Sequence, residues 1–385
     1  MTHTPIGTAL IGCGNFARWQ HLPNLARLPG AQLLWLCDHN HDLVAMLGDQ
    51  YDCQSTTDAK DVLTDPRVEA VVIAVRDDQQ AELCLAALAQ RKHVYVEKPV
   101  GNSPQQALSI AKSATHSGRQ VAVGFQKRCA PAYVKAKQLL DADGGVRNLS
   151  LRMVDDAWRW ASGYPKGALL ALDCCHLFDL ARFFCDSEVA EITARRSRPD
   201  DDAMLLQMEN GAIVSITLSG HGTMDMPKER LDAVSMRGGV CVEDFCELRA
   251  YGYPEIEPIQ RFAGASHPDY PLLPRYLLAE QGASGLASIR RIAWQLRQDQ
   301  AAGKLNERYD AAEIESFITH TIPNFLRDQG WLSAMEGFLQ ACAGASTNLN
   351  IARAEDAWAA QIITEAALRS QCDQSTIIID HKPSQ

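Results

Sequence analysis

The sequence predicts a two-domain α/β protein. A doubly wound N-terminal unit with a parallel sheet precedes an α+β unit whose sheet is open and mainly antiparallel. Three observations lead there. Over the first 125 residues, unbroken apolar runs alternate with stretches of helical spacing, the pattern of parallel strands covered on both faces. After Gly124 the pattern changes to tight hairpin signals. The chain, at 385 residues, is also longer than one domain usually holds.

In the first half, Gly7–Ile11 reads as a strand ending at glycines, Phe16–Arg27 as a helix, and Gln32–Cys37 as a strand closed by Asp38. Helical spacing over Asp42–Gln50 and Ala59–Leu63 precedes a buried strand, Glu69–Val75. An Ala/Leu-rich helix over Gln79–Gln90, a strand His93–Val96, a helix Gln105–Ser117 and a strand Gln120–Gly124 complete the unit.

In the second half, a helix over Pro131–Leu140 and a strand over Val146–Met153 lead to a long apolar-striped helix predicted for Ala168–Phe184. Met204–Met208 and Ala212–Leu218 flank Glu209-Asn210-Gly211, and Asp232–Met236 and Val240–Val242 flank Arg237-Gly238-Gly239. Such Gly-containing turns accommodate the positive φ that tight hairpins need. Residues 253–280 are proline-rich and weakly periodic, which predicts a long ordered loop. Helices are expected near 284–301, 311–326, 331–343 and 353–370.

Composition narrows the function. Apolar residues make up 46% and charged residues 22%, enough to build a substantial core. Lys+Arg number 37 against 47 Asp+Glu, a formal charge of −10, which argues against nucleic acid or an anionic membrane as partner. No apolar run is long enough to span a bilayer, and the N-terminus does not read as a signal peptide. The twelve cysteines include no Cys-x-x-Cys pair and sit mostly in apolar runs, so we expect free thiols, a cytoplasmic location and no metal site. The Asp200–Asp202 stretch reads as a solvated loop.

The chemistry begins at Gly12-Cys13-Gly14-Asn15-Phe16-Ala17, a G-x-G-x-x-A that directly follows the first strand and opens a helix. Gly12 permits the tight turn, Gly14 lets backbone approach a pyrophosphate, and Ala17 allows close helix–strand packing. The N–H groups of the following turn, from Asn15 and Phe16 on, offer a positive dipole end to phosphate. Asp38 ends the second strand, where a carboxylate accepts from both ribose hydroxyls and repels a 2′-phosphate. His39-Asn40 follows, with no arginine to bind such a phosphate, so NAD is favoured over NADP.

The motif Val94-Tyr95-Val96-Glu97-Lys98-Pro99, behind that glycine turn, resembles the glucose–fructose oxidoreductase/inositol dehydrogenase/MocA (Gfo/Idh/MocA) family. The similarity extends through Ala9–Leu25, Glu69–Pro99, Val123–Arg128, Trp158-Arg159, His176–Asp179, the two hairpins, and Gln329–Ala341 with Ala354–Ala367. It implies a Rossmann domain over 1–125 and a substrate-binding and oligomerisation domain over 126–385, with 253–330 an extended insertion. It also implies an enzyme that oxidises or reduces a secondary carbinol of a sugar, sugar derivative or cyclitol. The open sheet face, whose apolar surface needs cover, predicts a homo-oligomer, dimer or tetramer. The family's lysine and histidine flanking the reacting hydroxyl match Lys98 and His176, and Pro99 suits a cis or sharply turned peptide. Val75, Arg76, Glu97 and Lys98 join the glycine turn and Asp38 as cofactor-binding candidates. Arg128, Trp158, Arg159 and Lys166, with Lys98 and His176, are the candidates for substrate contact.

The chain departs from the family pattern in ways that bear on mechanism. Where many members carry an aspartate four residues before the histidine, this chain has Leu172, and the carboxylate is Asp173, three residues before His176. Three-residue spacing also shares a helix face, which makes Asp173 a third catalytic candidate. After the fourth strand the chain reads Val75-Arg76-Asp77-Asp78, so Arg76 contacts cofactor or a charged substrate, or pairs with a neighbouring aspartate. Three rival readings stay open. One is a redox-neutral sugar-modifying enzyme, a glycosidase or epimerase, with tightly bound NAD. Another is a non-catalytic NAD-sensing regulator. The third is an oxidoreductase of a non-sugar carbonyl or imine.

Overall fold

The computed structural model describes residues 4–154, 165–223, 226–262, 264, 272–305, 310, 312, 314, 327–345 and 350–381. The chain divides into two compact units, the first made of 1–129, 330–362 and 381–385 and the second of 130–329 and 363–380. Residues 330–362, expected in the second domain, thus pack into the first.

The first unit is built on β1 (Ile6–Ile11), β2 (Ala31–Cys37), β3 (Gln54–Thr56), β4 (Ala70–Ile73), β5 (His93–Val96), β6 (Val121–Val123) and β15 (Ala352–Arg353). Their order, β15-β6-β5-β4-β1-β2-β3, reverses direction at β1, the arrangement that opens a crevice at the carboxyl ends of the strands. Every pairing is parallel except β15 on β6. Apolar runs such as Val71-Val72-Ile73 are buried because helices cover both faces. One face carries the reason for the domain membership of 330–362. The helix Trp331–Cys342 places Met335 and Phe338 in one core with Leu10, Leu22, Leu25 and Tyr95. Water exclusion of that apolar stripe, worth roughly 1.5–3 kcal/mol per large side chain, outweighs its distance along the chain.

At the opposite end of β5, His93 is buried beside the Arg119 guanidinium, 3.0 Å from its Nε2. Burial, then the arginine, pulls the ring's pKa from 6.5 down to about 4. Between those values the unfolded chain holds a proton that the folded ring refuses, so His93 makes the fold lose stability as pH falls from 6.5 toward 4. Urea midpoints of wild type and His93→Gln across that window test this: the variant should show the shallower pH slope, and an unchanged slope assigns the effect elsewhere.

The second unit holds a sheet ordered β14-β13-β12-β11-β7-β10-β9-β8-β16. Its strands are β7 (Asn148–Val154), β8 (Val189–Arg198), β9 (Asp201–Met208), β10 (Ile213–Ser219), β11 (Glu229–Val234), β12 (Gly239–Glu243), β13 (Glu247–Tyr251), β14 (Ile259–Arg261) and β16 (Ile377–Ile378). All pairs are antiparallel except β7 with β10. Both predicted hairpins form, β9–β10 and β11–β12, and Gly211 in the first turn has φ 92°.

Two expectations are corrected. The helix predicted for Ala168–Phe184 is two helices, Leu169–Leu172 and Cys175–Cys185, with Asp173 and Cys174 in the turn between them. Aspartate disfavours a helix interior because its side chain competes for nearby backbone groups. The loop expected over 253–280 instead contains β14 and the start of a helix, Leu272–Ala301, bent at Gly282. Pro274 lies in the first turn of that helix, where no intrahelical N–H donor is needed. Leu278, Leu286 and Ile289 of this helix pack with Cys246, which docks the described part of the insertion on the β12–β13 hairpin. The helix expected over 311–326 falls largely outside the described residues.

Candidate functional site

The glycine turn is dictated by crowding on one side and openness on the other. Gly12 has φ 93°, and a Cβ there would lie 2.4 Å from the Ala74 carbonyl oxygen, so both backbone conformation and space demand glycine. Gly14 is the converse: nothing lies within 4 Å of where its Cβ would be. That open space before the first turn of the helix is where a pyrophosphate can approach backbone. Ala17 is buried against the sheet, while Asn15 and Phe16 are exposed, the asparagine accepting from Arg18.

Asp38 is more deeply engaged than the sequence suggests. One carboxylate oxygen accepts from Cys13 N–H at 2.7 Å and the other from Asn40 N–H at 2.9 Å, so Asp38 braces the glycine turn. A carboxylate offers about four lone-pair sites, so acceptor capacity remains for ribose hydroxyls beside these N–H groups and the His39 ring, 3.3 Å from Oδ1. The residues present therefore fit a dinucleotide. Asp38→Asn should weaken NAD binding about tenfold or more by removing charge-assisted hydrogen bonds. It should weaken NADP binding much less. Equilibrium titrations with both nucleotides check this, and an unchanged NAD/NADP ratio would remove Asp38 as the discriminating residue.

The remaining candidates of the first unit lie on the same carboxyl edge. Val75 and Arg76 follow β4; the Arg76 side chain is exposed and its Nε stands 3.7 Å from Asp78 Oδ1, the neighbouring-aspartate pairing anticipated as one option. Glu97 and Lys98 follow β5, and the Lys98–Pro99 peptide is cis. Glu97 is buried and receives His21 Nε2 at 2.9 Å, a contact that sequence reasoning missed because nothing in spacing links positions 76 residues apart. Arg128, a substrate candidate, is buried in a 3₁₀ turn with Nη1 3.3 Å from Asp356 Oδ2, an ion pair that ties Gln126–Cys129 to the last long helix.

In the second unit, Lys166 is exposed in a turn whose next residue, Gly167, has φ 91°. Gly167 N–H donates to Asp200 Oδ2 and its carbonyl accepts from Arg196, while Leu169 N–H donates to Asp200 Oδ1 at 2.9 Å. Asp202 accepts from Arg196 and from Gln371. The stretch expected to be a solvated loop is thus buried at Asp200 and Asp202. These carboxylates satisfy the backbone N–H groups and the guanidinium that would otherwise be stranded. They fix the start of the Leu169–Leu172 helix and hence the turn at Asp173. Asp173 is partly exposed, and its carbonyl accepts from His176 N–H at 3.2 Å. His176 is buried at the start of the Cys175–Cys185 helix. Asp173 and His176 are thus joined by a single turn and not by one continuous helix. Trp158 and Arg159 lie outside the described residues.

A family model described as "Oxidoreductase family, NAD-binding Rossmann fold" matches residues 6–125, and a "GFO/IDH/MocA C-terminal domain" matches 141–239. The chain belongs to the Gfo/Idh/MocA family. It is thus an NAD(P)-dependent oxidoreductase, with a Rossmann NAD-binding unit and a mainly antiparallel second sheet. Among curated relatives, inositol 2-dehydrogenase 2 of Saccharopolyspora erythraea is 29% identical over 228 residues, 55% of this chain and 67% of that one. Solved structures share the fold nearly end to end. An Agrobacterium radiobacter oxidoreductase, in complex with NAD+, L-tartaric acid and magnesium, aligns with TM-score 0.71 and 19% identity, covering 97% of this chain and 98% of that one. The apo scyllo-inositol dehydrogenase of Lactobacillus casei aligns with TM-score 0.69 and 16% identity, covering 98% and 99%. No described helix of this Gfo/Idh/MocA protein is long and apolar enough to cross a membrane.

Proposed function

We propose that this oxidoreductase transfers hydride between NAD and a secondary carbinol of a sugar, sugar derivative or cyclitol. The observation that carries the reading is the position of Lys98. It follows β5 at the carboxyl edge of the parallel sheet, two strands along from the glycine turn that fits a dinucleotide. In open α/β sheets ligands bind at that edge. The family membership and relatives named inositol 2-dehydrogenase support the substrate class.

NAD, when bound, accepts the hydride from the carbinol carbon. The chain must then deal with the hydroxyl proton and the charge left on oxygen. His176, as a neutral imidazole, is proposed to take the proton, because imidazole is the side chain whose charge change falls in the physiological pH range. The Lys98 ammonium stabilises the developing alkoxide and would also help to hold bound NAD. Lys166, Trp158 and Arg159 are proposed to contact substrate, and Asp173 is proposed as a third catalytic group. Arg128, which pairs with Asp356, is proposed as a further substrate contact. We further place the protein in the cytoplasm, where free thiols persist, as a homo-oligomer.

The test is reduced-nicotinamide absorbance with NAD or NADP and a panel of sugars, sugar acids and cyclitols, myo-inositol included, alongside analysis of the denatured protein for released nucleotide. Reduction of NAD by a polyol supports the reading. No reduction by any member, with nucleotide released on denaturation, replaces it with redox-neutral chemistry on tightly held NAD.

A further inference from the structure

We infer that His21 is a positioning residue for Lys98, acting through the buried carboxylate of Glu97; the inference rests on the role given to Lys98 above. The helix after the glycine turn does not begin as an α-helix. It opens with a π-helical turn, Ala17–His21, before the α-helix Leu22–Arg27. Such turns are rare and gather at functional sites, because they re-aim the side chains of one segment. Here the segment carries two polar residues into the interior, Gln20 and His21, at 0% and 1% exposure.

His21 Nε2 stands 2.9 Å from Glu97 Oε1. An ionised carboxylate only accepts, so Nε2 carries the hydrogen. Edge-on contacts hold the imidazole in place, with Phe16 at 5.4 Å and Tyr95 at 5.5 Å between ring centroids. The other carboxylate oxygen, Oε2, accepts from Lys98 N–H at 3.3 Å. On the remaining side is Gly124, where a Cβ would lie 2.6 Å from Oε2, so the backbone following β6 packs directly on the carboxylate. Glu97 is therefore clamped between an imidazole, a bare glycine and the peptide it precedes. The cis Lys98–Pro99 bond follows at once, so the direction in which Lys98 leaves the strand is tied to the Glu97 carboxylate.

A buried imidazole–carboxylate pair is a poor device for stability, since apolar residues of equal volume commonly do as well or better. What it supplies is orientation, and the group it orients is the backbone of the lysine. The sequence signal was present, a histidine inside the helix that follows the glycine turn, but the partner was not readable.

The experiment needs no known substrate. NADH is titrated by its fluorescence into wild type, His21→Phe, His21→Gln, Lys98→Ala and the His21→Phe/Lys98→Ala double variant, with melting temperatures measured in parallel. Phenylalanine keeps ring volume and loses the N–H; glutamine keeps a donor. His21→Phe should weaken NADH about fivefold, His21→Gln should restore binding to within about twofold, and His21→Phe should add nothing once Lys98 is alanine. Two results overturn the inference: wild-type affinity in His21→Phe, or the same loss with and without Lys98. Wild-type affinity in Lys98→Ala alone would instead refute the reading of Lys98 itself, and the inference with it. Should His21→Phe not fold, Glu97→Gln carries the same comparison.

Discussion

Lys98→Ala should lower turnover about a thousandfold, within the range of about 10²–10⁴ that a positioned proton-handling or charge-stabilising group supplies. NAD affinity should change only several-fold, because the glycine turn and Asp38 are proposed to hold most of the nucleotide. The two effects separate chemistry from binding: an interaction made mainly in the transition state lowers kcat and kcat/KM together. His176→Ala should cause a comparable loss of turnover with no change in NAD affinity. Steady-state kinetics with the polyol found in the panel, together with NAD titration, measures both. Full turnover in Lys98→Ala at normal NAD affinity would end the proposed mechanism.

Asp244→Ala should destabilise the second unit by about 3–5 kcal/mol, the usual consequence of leaving a buried charge without its partner. The aspartate lies at φ 48° between β12 and β13, its side chain 2% exposed, and its carboxylate receives four donors. They are Arg290 Nη1 at 2.9 Å, Arg327 Nη1 at 2.6 Å, and the backbone N–H groups of Lys228 and Glu229. Burial alone would raise the Asp244 pKa, but Arg327 and Arg290 overcome it and hold the carboxyl below its ordinary 3.8. The stabilisation is accordingly present above that value and lost as pH falls below it. Arg290, in the helix Leu272–Ala301, and Arg327 both belong to the insertion, so this one carboxylate fastens two of its segments to the sheet. Arg327 also lies 5.4 Å over the Phe245 ring, which packs on Tyr133. Chemical denaturation of Asp244→Ala at neutral pH measures the loss, and a change under 1 kcal/mol would show the cluster to be dispensable.

These two predictions stand on different levels of legibility. The placement of the segments around Lys98 could be read because each is local: a glycine pair after a strand, an acid at the end of the next strand, and Glu97-Lys98-Pro99 after another. Each sits where a strand ends, and strand ends are set by runs of apolar residues. The Asp244 cluster could not be read, since it joins positions 244, 290 and 327, and no periodicity relates residues on separate elements. β8 escaped for a subtler reason. Its register shifts between Val189 and Glu191, and that bulge breaks the alternation by which a half-buried strand is recognised. Asp200 and Asp202 looked solvated because charge in a short acidic run predicts exposure, until Arg196 and the N–H groups of Gly167 and Leu169 gave them partners.

By itself, the sequence determined the parallel unit, both hairpins, the nucleotide turn and the family, because burial on both strand faces and positive φ at glycine leave direct marks in residue order. Only tertiary structure decided that residues 330–362 complete the first unit, that Asp173 sits in a turn, and that Arg128 answers to Asp356. It also decided that Glu97 answers to His21. Those outcomes depend on which distant side chains exclude water together and which buried charges find counter-charges, and proximity of that kind has no period along the chain.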